Sequence, residues 1–165
     1  MKKILLGVFC FILPFIAMAK GIGYGKTEWG MSPNEVITAE NGNAVLIKPE
    51  QFKGSWGKAR INNINIGSGE YTVTFLFNGE DELIQTNLVS NDKNSPSIAT
   101  MRFNSLHELL TQKYGEPIYK GVDKVTWKTA DTTIELSKTI IPRVLTQTSV
   151  RYVPNARLDA DTSKL

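Results

Sequence analysis

Residues 71–77 read Tyr-Thr-Val-Thr-Phe-Leu-Phe and run directly into Asn78-Gly79. In an extended chain successive side chains point to opposite faces. Tyr71, Val73, Phe75 and Phe77 therefore share one face, with Thr72 and Thr74 on the other. That is a half-buried strand, apolar toward a core and polar away from it. Asn78-Gly79 predicts a tight hairpin, because both turn positions would need positive φ. The return strand is expected from about Glu82 to Ser90. An antiparallel sheet with one packed face follows from this stretch.

Working toward the N-terminus, Ile64 and Ile66 alternate before the turn Gly67-Ser68-Gly69, and Ala44 to Lys48 suggests a strand followed by a loop from Pro49 to Gly57. Ahead of these, Ser32-Pro33-Asn34-Glu35 fits a capping box with proline at the first helical position. Val36, Ile37 and Ala39 give that helix an apolar side, and Asn41-Gly42 stops it. Toward the C-terminus, Asn91 to Ser97 reads as a polar loop at the midpoint. Ser105-Leu106-His107-Glu108 reads as a second capping box. Leu106, Leu109, Leu110 and Tyr114 keep helical spacing until Gly115 and Pro117. Strands are expected at Val122–Thr129, Thr132–Ser137 and Ser149–Val153, and residues 155–165 read as a polar, mobile tail. The fold class is α+β: one antiparallel sheet of about six strands with two helices packed on one face, in a single domain over residues 20–154. Ser32–Gly42 laid over Ser105–Gly115 shares Ser, Glu, Thr and Gly at an offset of 73 residues. This suggests two α-β-β-β repeats, although any two capped helices share such residues.

The N-terminus has its own logic. Lys2-Lys3 precede an apolar run from Ile4 to Ile16, and Ala17-Met18-Ala19 is a small-x-small site. This pattern predicts a signal peptide over residues 1–19, cleaved between Ala19 and Lys20, and a periplasmic or secreted protein. The run is shorter than the ~20 residues needed to span a bilayer. Cys10, the only cysteine, lies within it, and Phe9 stands where a lipidation signal carries a small residue. Export thus leaves no disulfide framework. The chain has 19 Lys and Arg against 16 Asp and Glu, and two of the basic residues are Lys2 and Lys3. The near-neutral remainder lacks the basic excess of a nucleic-acid binder.

The same inventory limits the chemistry. His107 is the only histidine, so neither a metal site nor a cofactor is expected. Glu80-Asp81-Glu82 reads as a solvated hairpin tip. Gly54-Ser55-Trp56-Gly57 lacks the strand-elbow-helix pattern of a serine nucleophile, and Gly21-Ile22-Gly23-Tyr24-Gly25 follows no strand. No spacing singles out a carboxylate pair. No catalytic residue is assigned, and the chain is read as a non-enzyme. The candidate interaction surface is Phe52, Lys53, Trp56, Lys58 and Arg60, two aromatics among three cations in a flexible stretch, a composition that suits interface centres. The competing reading buries Trp56 in the core and leaves the cations as surface coating.

Trp29-Gly30-Met31-Ser32-x-x-Glu35-Val36 and Lys113-Tyr114-Gly115-x-Pro117 resemble small exported bacterial α/β proteins. Among these are the small lipoprotein subunit of the outer-membrane β-barrel assembly machine and the β-lactamase inhibitory protein. The chain departs from them in having no lipidated cysteine and one helix signal per half. The resemblance implies a fold that binds other proteins, and no functional residue carries over. Function is accordingly read as protein–protein binding by an exported soluble inhibitor, immunity-type or envelope-assembly factor. Its partner would be another envelope or secreted protein, not nucleic acid, and no transmembrane segment is expected after leader removal. A binder of a small ligand, lipid or cell-wall glycan is the alternative, and a metal-independent hydrolase a third.

Overall fold

The computed structural model describes residues 21–91 and 95–162, with side chains as far as Asp159. The expected leader, its cleavage position and Cys10 lie outside the described residues. The first half runs α1 (Pro33–Ala39), β1 (Val45–Phe52), β2 (Ser55–Ile66), β3 (Gly69–Phe77) and β4 (Leu83–Ser90). The second runs α2 (Pro96–Tyr114), β5 (Tyr119–Lys120), β6 (Lys124–Lys128), β7 (Thr132–Ile141), β8 (Leu145–Pro154) and α3 (Asn155–Thr162). The eight strands form one antiparallel sheet in the order β1-β2-β3-β4-β8-β7-β6-β5. Each half is a helix followed by a four-stranded meander, and the two meanders meet at β4 and β8. Among the described residues no helix is long and apolar enough to cross a membrane.

β3 is the centre of the core. Tyr71, Val73, Phe75 and Phe77 are fully buried. Register then extends that apolar face across the sheet. One row runs Ala59, Phe75, Thr86, Tyr152, Ile134, Trp127; the next runs Ile61, Val73, Leu88, Val150, Leu136, Val125. Phe103, Leu106 and Leu110 of α2 and Val36 of α1 pack into this same core, with α2 seated on β6, β7 and β8. Trp29 is buried and its indole donates to Thr132 Oγ1 at 2.8 Å, while the buried Trp127 donates to the Gly115 carbonyl at 3.0 Å. Tyr24 closes the gap between loop and sheet, stacking edge-on to Tyr152 at 5.4 Å between ring centroids.

Several expectations are corrected. The sheet has eight strands, not about six, because β1 continues through Pro49 to Phe52 and β5 adds a short outer edge. A proline on an edge strand breaks no ladder bond within the sheet. Among the described residues there are three helices instead of two. The capping box at Ser32 forms, with Glu35 Oε2 accepting from the Ser32 amide at 2.7 Å. The one expected at Ser105 does not, since that residue lies inside α2. The helix opens at Pro96, where proline occupies the first turn and leaves no missing bond, and its buried stripe extends upstream through Ala99 and Phe103. Of the expected midpoint loop Asn91–Ser97, Pro96 and Ser97 belong to this helix. The Asn78 hairpin is longer than two residues. Asn78 Oδ1 accepts from the Glu80 and Glu82 amides, both at 2.9 Å, and the positive φ falls on Asp81. Residues 155–162, read as tail, form α3, anchored where Asn155 Oδ1 accepts from Thr133 Oγ1 at 2.7 Å.

Candidate functional site

Between the two apolar rows, on the opposite side of the sheet from α1 and α2, register aligns a third row. It runs Arg60, Thr74, Asn87, Arg151, Glu135, Thr126 and Tyr119, one residue from each of β2 to β5 by way of β3, β4, β8, β7 and β6. Every member carries a polar group, because a strand that alternates at period two must place its polar set opposite its core set.

Glu135 is the electrostatic centre of this row. Its carboxylate accepts from Lys124 at 2.7 Å on one side and from the Arg151 guanidinium on the other, with Nε at 2.7 Å. Burial by itself pushes the Glu135 carboxyl up, but the two cationic hydrogen-bond donors and their charges outweigh it and hold the group below its usual value. The trio carries a net positive charge. Around it, Gln85 donates to Asn87 Oδ1 at 2.8 Å, and the Ser137 and Ser149 hydroxyls lie 3.0 Å apart. These residues line a cleft of about 250 Å³ in which Gln147 and Val89 complete the walls. Amides, hydroxyls and ions can recognise a polar surface. Among the described residues no three His, Cys, Asp or Glu side chains are grouped to hold a metal ion.

The five residues singled out from sequence lie on a regular hairpin, not on a flexible loop. Lys53 sits in the β1–β2 turn beside Gly54, whose φ is positive, and is exposed. Phe52 and Arg60 face the polar side. The Phe52 ring crosses β2 over Gly57, where a Cβ would sit 3.0 Å from Cε2, so the glycine is what admits the ring. Trp56 pairs with Phe77 and so belongs to the helix side. It is neither buried nor prominent, at 39% exposed. Lys58 is ion-paired with Asp81, and Arg60 with Glu50. The structure therefore divides the two aromatics between faces and neutralises two of the three cations. His107 lies in mid-helix, its ring 5.9 Å from that of Trp127, not at a helix start. Sequence reasoning missed Asn87, Glu135 and Arg151. Their alternation with apolar neighbours signalled the polar face, but nothing local signalled that they would align.

No family model, curated protein or solved structure matches this chain.

Proposed function

We propose that this chain is an exported binding protein that engages another protein through the polar face of its sheet. The observation that supports this reading is the cross-strand row from Arg60 to Tyr119, a continuous polar strip opposite the helices. Strips of this kind suit protein recognition because charges and amides held by a rigid sheet fix register with a partner. The resemblance of both helix regions to exported proteins that bind other proteins points the same way. Size and lining favour this reading over a ligand pocket. At about 250 Å³ the cleft is smaller than the ~300–1,000 Å³ typical of small-molecule sites, and its polar walls do not suit a lipid.

The test is site-specific photo-crosslinking in the producing cell, with the reactive group at Asn87 on the polar face or at Gln112 on the exposed side of α2. The reading expects one discrete adduct from Asn87, diminished by Arg151→Glu, and none from Gln112. Adducts from Gln112 alone, or none from the polar face, would remove the polar row as the binding surface.

A further inference from the structure

The β7–β8 hairpin outruns its neighbours. β6 pairs with β7 only as far as Ser137, and β4 pairs with β8 only from Ser149 onward. Beyond that level, among the described residues, Thr139 to Gln147 pair only with one another. The base is anchored: Thr148 Oγ1 donates to the Ala99 carbonyl at 3.0 Å, and Lys138 meets Asp123 at 3.2 Å and sits over the Phe103 ring. Among the described residues the tip has no such bond, and only Pro96 borders it. Ile141 is 47% exposed and Val144 78%. Ile140 points to the helix side, Ile141 and Leu145 to the polar side, and Pro142 and Val144 flank Arg143 at the apex, so the tip carries apolar side chains on both of its faces.

We infer that this tip is a membrane-surface anchor that inserts among the headgroups of a bilayer containing anionic lipid. Three features select a bilayer over a protein groove or a second copy. A groove covers one side of a hairpin, whereas the boundary between headgroups and acyl chains surrounds it. The turn itself has few bare donors: Pro142 has no N–H, and the Val144 amide donates to the Ile141 carbonyl at 3.0 Å. That matters because unpaired donors are what exclude irregular backbone from lipid. Finally, residues 136–150 contain Lys138 and Arg143 but no carboxylate. With Lys138 held by Asp123, Arg143 at the apex is the cation left to meet a phosphate. From the Thr139–Gln147 pair to the apex is three or four residues, about 10 Å, close to the depth reached by interfacial anchors. This inference is independent of the polar-face reading, which concerns other residues.

The experiment uses the full chain in a Cys10→Ser background, carrying an environment-sensitive fluorophore at Val144→Cys, titrated with vesicles of phosphatidylcholine alone or with one-third phosphatidylglycerol. A blue shift is expected on the anionic vesicles, and none from the same label at Lys53→Cys, at the opposite end of the sheet. Arg143→Gly suits the positive φ there and should raise the lipid concentration needed roughly fivefold, the effect of one cation near an anionic surface. Ile141→Asp should abolish the shift with the fold intact by circular dichroism. No shift at Val144 at millimolar lipid, or a shift unchanged by Ile141→Asp, would overturn the inference. So would a shift that appears without vesicles and grows with protein concentration, which would make the tip a contact between copies of this chain.

Discussion

The two faces of the same strands differ in what they need from their neighbours. On the helix side, Phe75 and Ile134 lie under packed side chains with nothing exposed. One residue along, Thr74 and Glu135 turn to the other side and join a polar row. Apolar contacts are short-ranged and non-directional, so the helix side tolerates only changes that conserve volume. Polar contacts at a half-open face can exchange with water, so that side is free to vary and to recognise.

The largest break in this contrast is Phe75→Ala. It removes a fully buried ring and should cost about 3–5 kcal/mol, read as a lower urea midpoint. Asn87→Ala, opposite it on the polar side, should stay within about 0.5 kcal/mol. A comparable loss from both would mean that the polar face is itself a core.

Glu135→Gln gives a smaller effect, about 1 kcal/mol, since Lys124 and Arg151 are half exposed and regain water. Its pH dependence has a definite sign. Because the folded pKa is depressed, the Glu135 contribution is present above the unfolded value of about 4.3 and is lost as pH falls through the lower folded value. The stability gap between wild type and Glu135→Gln should therefore close below about pH 4. A gap that widened in acid would contradict the pairing.

The smallest effect is a gain. Thr86 lies fully buried between Phe75 and Tyr152, and its hydroxyl has no hydrogen-bond partner. Thr86→Val keeps the shape and removes that polar atom, so stability should rise by a few tenths to about 1 kcal/mol, read as a higher thermal midpoint. A loss would show that the hydroxyl has a partner after all.

Much of this was legible in the chain. Tyr71 to Phe77 announced their strand and its buried side, and Ser32 and Glu35 their capping box. The candidate site was not legible. Phe52 to Arg60 looked like an adaptable loop because Pro49, Gly54 and Gly57 are loop residues by composition. Pairing with β3 made that stretch a strand, and Asp81 and Glu50 took up two of its cations. Asn87, Arg151 and Glu135 were individually unremarkable polar positions, 64 residues apart at the widest.

Local sequence therefore determined which residues turn inward, since strand periodicity and capping chemistry act over a few neighbouring positions. Only the tertiary structure decided that β4 would pair with β8. That pairing joins two meanders into one sheet and brings Asn87 beside Arg151, and with it the polar row is complete. Cross-strand register is a contact between segments far apart in the chain, and it is chosen by how well whole faces fit together.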